Sequence, residues 1–180
     1  MKSLKMRSST NFELDDIKTG ASVYLDSNII IYDATDHLQY GKSCRNFLKR
    51  IEMGEISAIT SSLTLTETLH KLIIIDLCEI KGIKAWKALR LIKDNPKVLG
   101  ELREPYIAID KMQNLPNLKI VSLTPQIAEM CKDFVKTYLL MSNDSVHLAT
   151  MQTYGIKNLA SNDSDFERVD WINLYKPKKE

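Results

Sequence analysis

Short uninterrupted apolar runs alternate along this chain with longer stretches in which apolar side chains recur every three or four positions. The short runs predict strands buried on both faces, whereas the longer spacing gives a helix one apolar face. Strands are predicted at residues 23–25, 56–60, 118–123, 156–161 and 171–175, the last of them at an edge of the sheet. Helices are predicted at residues 28–34, 40–52, 62–81, 84–114, 124–140 and 142–154.

Local signals mark several ends of these helices. Gly82 follows the longest one, and glycine ends a helix at little steric cost. Thr124 and Pro125 supply a capping hydroxyl and a first-turn proline for the helix after the third strand. Pro96 and Pro105 divide the charged helical region before that strand. The predicted ends of these helices therefore coincide with residues that favour a helix end.

One domain is predicted for residues 21–177, preceded by a polar N-terminal extension at residues 1–20. Within the extension, Thr10 and Glu13 have the spacing of a capping box, which predicts a short leading helix. Strands that alternate with helices predict a parallel sheet covered on both faces, and hence the α/β class. Ligands of such folds bind beyond the carboxyl ends of the strands.

Composition and charge narrow the classes of protein further. The 180 residues include 25 Lys and Arg against 23 Asp and Glu, a net charge of +2 that neither requires nor excludes a nucleic-acid partner. The three cysteines lie singly in helical patterns, which favours reduced thiols over a zinc site. The N-terminus lacks the apolar core of a signal peptide, and no apolar block approaches the roughly 20 residues of a membrane span. We therefore expect a cytoplasmic protein with no membrane partner.

Acidic residues stand where the predicted strands end or the next helices begin. Asp26 ends the first strand, and Glu67 lies in the first turns of the helix after the second. Asp163 and Asp165 follow the fourth strand, and Asp144 opens the helix before it. Carboxylates brought together at one sheet edge repel and raise one another's pKa values unless a cation neutralises them. Oxygen ligands without clustered histidine or cysteine favour Mg²⁺ or Mn²⁺.

Each acid also has a purely structural interpretation. Asp26 has the position of an N-cap, and Glu67 has capping-box spacing with Thr64. Asp144 is an ordinary first-turn acid, and the two acids after the fourth strand suit a solvated turn. Their joint placement at one edge favours a shared site over several independent structural roles.

Four segments carry a resemblance to a known family. They are VYLDSNIIIY, SSLTLTETLHKL, MSNDSVHLATMQTYGI and LASNDSDFERV, and they lie between about residues 23 and 177. In this order they resemble the acidic motifs of the PIN-domain family, most of all its VapC-type ribonuclease toxins and their archaeal relatives. One departure is Ser145, because the family usually has alanine after its third acid.

The resemblance implies a three-layer α/β/α sandwich with a central parallel sheet. It also implies a metal-dependent endoribonuclease that hydrolyses RNA phosphodiester bonds, a toxin of a toxin–antitoxin pair that forms a homodimer and binds a small antitoxin. The cofactor implied is Mg²⁺ or Mn²⁺, held by Asp26, Asp144 and Asp163. By position, the catalytic residues are Asp26, Glu67, Asp144 and Asp163, and the auxiliary residues are Ser27, Asn28 and Asp165.

Two further groups of residues have open roles. His147 and His70 each lie three residues past an acid, so each either hydrogen-bonds near the site or packs in the interior. RNA near an acidic pocket needs cations around it. The candidates are Lys42, Arg45, Lys49, Lys87, Arg90, Lys93 and the tail segment KPKK.

Other classes that place acids at a parallel sheet fit less well. A haloacid-dehalogenase-type phosphatase needs an acid where this chain has Asn28. A dinucleotide enzyme needs a glycine-rich phosphate turn, and the six glycines form none. A receiver domain needs an adjacent acidic pair and a late lysine that are not in place. The remaining alternative is a catalytically inactive PIN-like module that binds RNA or protein.

Overall fold

A sheet of six parallel strands forms the centre of the protein in a computed structural model that describes residues 12–180. From one edge to the other, the strand order is β1-β6-β5-β2-β3-β4. The strands are β1 (Phe12–Glu13), β2 (Ser22–Leu25), β3 (Ser57–Ser61), β4 (Leu118–Val121), β5 (Asn158–Ala160) and β6 (Asn173–Lys176). The predicted parallel α/β sheet is confirmed.

Helices cover both faces of this sheet. They are α1 (Ser27–Ala34), α2 (Gly41–Glu52), α3 (Ser62–Lys81), α4 (Ala85–Asp94), α5 (Glu104–Gln113), α6 (Pro125–Tyr138) and α7 (Ser142–Thr153). Within residues 12–180, none of the helices has both the length and the apolar character needed to cross a bilayer.

Strand β2 shows how the layers are held together. Side chains alternate between the faces of a strand, so Val23 and Leu25 pack in one apolar cluster with residues of α1 and α2. Tyr24 points the other way and packs in a second cluster with Leu148 and Met151 of α7. The central strand is therefore buried on both sides, as a three-layer α/β/α sandwich requires.

The boundaries of α3 agree with those expected from the sequence. Helix α3 runs from Ser62 to Lys81, as predicted. Gly82 adopts a left-handed conformation with φ +60° and donates its N–H to the carbonyl of Cys78, which ends the helix. At the other end, the Ser61 side chain accepts a hydrogen bond from the backbone N–H of Thr64. The capping residue is thus Ser61, and a capping box between Thr64 and Glu67 is not the arrangement found.

The segment before β2 joins the sheet and the core. Strand β1 pairs with β6, so the prediction that β6 lies at the edge is wrong. Leu14 and Ile17 are fully buried, and the Arg50 guanidinium donates to the carbonyl oxygens of both. Thr10 and the predicted start of a leading helix lie outside the described residues. The domain boundary at residue 20 stays a prediction.

Candidate active site

The carboxylate of Asp26 lies where β2 passes into α1, and the residue is only 5 % exposed. It is the N-cap of α1 and accepts the backbone N–H of Ser27 at 2.5 Å. It also accepts the Asn28 side-chain amide at 2.7 Å and the Ser161 hydroxyl at 2.5 Å. These donors offset the cost of burying a charge, because hydrogen bonds to an ionised group are the strong ones. The structural and functional interpretations of Asp26 are therefore compatible.

Ser161 and Asn28 connect the start of α1 with the loop after β5. The Ser161 hydroxyl accepts from the Asn28 amide at 3.0 Å and from the backbone N–H of Asp163 at 3.1 Å. The Asn28 side-chain oxygen accepts the backbone N–H of Asn162 at 3.1 Å. This fixes the position of Asp163, whose carboxylate caps the turn after it by accepting the N–H of Asp165. The Asp165 carboxylate pairs with Arg168 at the protein surface.

Glu67 approaches the same region from α3. One carboxylate oxygen, Oε1, lies 2.6 Å from the ammonium of Lys71, one helical turn later. The Lys71 ammonium also donates to the hydroxyl of Ser27 at 3.3 Å, which brings α3 to the start of α1. The other oxygen, Oε2, is buried and has no hydrogen-bond partner. Contact with His147, together with the charge of Lys71, lowers the pKa of Glu67 against the opposing effect of burial.

His147 of α7 is 1 % exposed and lies between buried Asp26 and partly buried Glu67. Its Nε2 is 3.6 Å from Glu67 Oε2 and 3.9 Å from Asp26 Oδ1. Its Nδ1 lies 3.0 Å from the hydroxyl of Tyr24. Burial disfavours the charged imidazole, but Tyr24 and the two carboxylates outweigh it and raise the pKa of His147. One ligand atom each of Asp26, Glu67 and His147 lie within 4.8 Å of one another.

Asp144 lies in the first turn of α7 and is partly buried. Burial raises the pKa of its carboxyl to about 6, and the negative charge of Asp163 adds to this, with smaller effects of Asp26 and Asp165. The charges of Asp163, Asp26 and Asp165 thus act on Asp144, and Glu67 is joined to Asp26 through His147. The ligand atoms that lie within 4.8 Å of one another, however, belong to His147, Asp26 and Glu67.

Three residues of this region carried little or no signal in the sequence. Ser161 directly precedes the late acids, and Lys71 lies four positions after Glu67, a spacing that brings side chains together on a helix. Tyr24 looked like an ordinary apolar strand residue, although its buried hydroxyl needed a partner. His147 has the hydrogen-bonding role that was left open, whereas His70 is exposed on α3.

The basic residues expected to contact RNA lie on the surface, and several pair with acids. Arg45 contacts Asp33 and Asp36. Lys42 pairs with the carboxylate of Glu180 at 3.3 Å. Their contact with RNA stays a prediction.

The acidic region suits a divalent cation. The pKa of Asp144 is raised by burial and by neighbouring negative charge, and a buried oxygen of Glu67 lacks a hydrogen-bond donor. A cation relieves both, because it stabilises the charged carboxylates and provides a partner for their oxygens. Several oxygens and one imidazole nitrogen form a donor set that accepts Mg²⁺ or Mn²⁺.

Comparison with known proteins indicates the family of this chain. The family model "PIN domain" matches residues 23–172. Ribonuclease VapC2 of Methanocaldococcus jannaschii is 26% identical over 153 residues, which are 84% of this chain and 91% of that protein. Ribonuclease VapC6 of the same organism is 39% identical over 79 residues, 44% of this chain and only 50% of that protein.

A solved structure supports the fold. The Mycobacterium tuberculosis protein VapC20, described as a sarcin-ricin loop cleaving toxin, has a TM-score of 0.55 and 14% sequence identity to this chain. The similarity covers 83% of this chain and 96% of that one. Since the family model spans the greater part of the sequence, this chain belongs to the PIN-domain family.

Proposed function

We propose that this chain is a metal-dependent endoribonuclease whose catalytic acids are Asp26, Glu67, Asp144 and Asp163. The observation that carries the proposal is the group of Asp26, Glu67 and His147 beside an Asp144 whose pKa is raised by burial and by its acidic neighbours. Acidic residues with shifted pKa values at the carboxyl edge of a parallel sheet are typical of active sites. Two relatives named as ribonucleases support RNA as the substrate.

In this proposal Asp26, Asp144 and Asp163 hold Mg²⁺ or Mn²⁺. The ion supplies Lewis-acid stabilisation of the charge on the phosphodiester and activation of water. Glu67 is kept ionised by His147 and Lys71, so its carboxylate is available to orient the attacking water or to help bind an ion.

The auxiliary residues position the acids. Ser27 and Asn28 donate to the Asp26 carboxylate and hold it in one orientation. Asp165 donates its backbone N–H to Asp163 and orients that carboxylate. Such supporting contacts keep ligands within the narrow range of geometry that catalysis requires.

The biological role proposed is that of a toxin in a toxin–antitoxin pair, acting in the cytoplasm as a homodimer and inhibited by a small antitoxin. The similarity to a protein described as a toxin supports this role. The test is co-purification of the chain with the product of a neighbouring short reading frame, followed by assay of RNA cleavage in its presence.

The nuclease activity is tested with a panel of structured RNAs incubated with Mg²⁺, with Mn²⁺ and with chelator. We expect cleavage that requires the ion and that Asp144→Asn removes. Asp133→Asn, at an exposed position of α6, is the matched control and should cut normally. Cleavage that persists in chelator or in Asp144→Asn would contradict the proposal. Absence of cleavage by a folded, partner-free protein would favour the alternative, an inactive PIN-like binding module.

A further inference from the structure

Only one of the two carboxylate oxygens of Glu67 has a close polar partner in the protein. Lys71 occupies Oε1 at 2.6 Å, while Oε2 is buried without a hydrogen-bond donor. A buried polar oxygen without a partner is costly, and such an atom in a native structure calls for an explanation. Nε2 of His147 lies 3.6 Å from Oε2.

A chain of hydrogen bonds on the Nδ1 side of the imidazole fixes the orientation of His147. The backbone N–H of Thr64 donates to the Ser61 hydroxyl, which also accepts from the Tyr24 hydroxyl at 3.0 Å. Because the single Tyr24 proton is used toward Ser61, the Tyr24 oxygen accepts from His147 Nδ1 at 3.0 Å. This leaves Nε2 facing the two carboxylates, and a cation that binds there displaces the Nε2 proton while Nδ1 keeps its own.

The separations around Nε2 exceed those of ordinary hydrogen bonds. N–H···O bonds span about 2.7–3.2 Å, whereas Nε2 is 3.6 Å from Glu67 Oε2 and 3.9 Å from Asp26 Oδ1. Ligand atoms bound at about 2.0–2.2 Å to one cation lie roughly 3–3.6 Å apart. A small inward movement of these side chains therefore gives the spacing of a coordination sphere.

We propose that Nε2 of His147 binds the divalent cation together with Asp26 and Glu67, and that Tyr24 is the residue that positions the imidazole. A metal-bound histidine usually donates its other ring N–H to a fixed acceptor, and the Tyr24 hydroxyl has that place here. An imidazole nitrogen suits transition-metal ions better than Mg²⁺, so the site selects Mn²⁺ over Mg²⁺. The inference rests on the proposed function and deepens it, because it adds His147 and Glu67 to the ligands Asp26, Asp144 and Asp163 named there.

The direct test is pulsed electron paramagnetic resonance of Mn²⁺ bound to the full-length chain. We expect a ¹⁴N coupling from the imidazole in the wild type, retained in His70→Gln and lost in His147→Gln. His70 is the matched control because it is an exposed histidine on α3. Bound Mn²⁺ without a ¹⁴N coupling in the wild type would overturn the inference, and this result does not depend on any variant folding.

A second measurement compares the affinities of the protein for Mn²⁺ and Mg²⁺. In titrations, His147→Gln should bind Mn²⁺ about 10–100-fold more weakly, with a much smaller change for Mg²⁺. Tyr24→Phe should lose about 10-fold in Mn²⁺ affinity and keep the ¹⁴N coupling, since its role is positioning. Equal losses for both ions would indicate a structural role alone and would contradict the inference.

The two proposals fail in different ways. Metal-dependent RNA cleavage without a ¹⁴N coupling removes the nitrogen ligand and leaves the nuclease proposal intact. A ¹⁴N coupling without RNA cleavage supports the site and contradicts the nuclease activity. A folded wild-type protein that binds no Mn²⁺ refutes the inference, and one that binds neither Mn²⁺ nor Mg²⁺ refutes both.

Discussion

Replacing Asp144 by asparagine should stabilise the protein at pH 8 in the presence of a chelator, although it removes a proposed catalytic acid. In the folded protein, burial and the charge of Asp163 raise the pKa of Asp144 from 3.8 to about 6. A carboxyl with a raised pKa favours folding while it is protonated, below about pH 4. That contribution is lost as the pH rises through about 6. Asparagine has nearly the same shape and carries no charge at any pH.

The size of the effect follows from the shift. A shift of about two units at 1.36 kcal/mol each amounts to about 3 kcal/mol of unfolding free energy above pH 7. A domain of this size gains about 2–4 °C in Tm per kcal/mol, which gives an increase of about 6–12 °C. The gain should vanish near pH 3.5, where the carboxyl is protonated in both states.

Thermal unfolding followed by circular dichroism from pH 3.5 to 8.5 measures this difference. Asp133→Asn, which changes an exposed acid of α6, should leave Tm nearly unchanged across the range. Added Mn²⁺ should narrow the gap at pH 8, since an ion at 100 times its Kd stabilises the wild type by about 2.7 kcal/mol. A pH-independent difference, or a lower Tm for Asp144→Asn at pH 8, would refute the reasoning.

Three further substitutions test individual contacts. Ser145→Ala should raise stability by about 1 kcal/mol in thermal unfolding, because the buried Ser145 hydroxyl has no hydrogen-bond partner; a loss would show that it has one. Ser161→Ala removes a donor to Asp26, so kcat should fall about 10-fold at unchanged secondary structure, and an unaltered kcat would contradict this role. Arg50→Lys disrupts contacts with carbonyls of residues 14–17, which should cost about 1–3 kcal/mol and speed amide exchange there; unchanged exchange would count against it.

Elements with local signals were predictable from the sequence. Helix α3 begins at Ser62 and ends at Lys81, as expected. Its C-terminal end was predictable because Gly82 adopts the left-handed conformation that stops a helix. Asp26 could be placed at the sheet edge because it directly follows an apolar strand run. In each case the determining residues are neighbours in sequence.

Features that depend on distant pairing were not predictable. Strand β1 pairs Phe12 with Tyr175, and two residues give too little pattern to identify a strand. The contact between Glu67 and His147 joins α3 to α7 and depends on how both helices pack on the sheet. The sequence therefore predicted the acids and left the role of His147 open, and the position of its imidazole between Asp26 and Glu67 became visible only in three dimensions.

The short strand β1 has a practical consequence for anyone shortening this protein. It covers the outer backbone groups of β6, while Leu14 and Ile17 fill space beneath it. A version that begins at residue 21 would leave β6 as an open edge, and open edges pair readily with other chains. Aggregation of a protein shortened in this way would arise from the exposed edge of β6. It would not report on the activity of the acidic site.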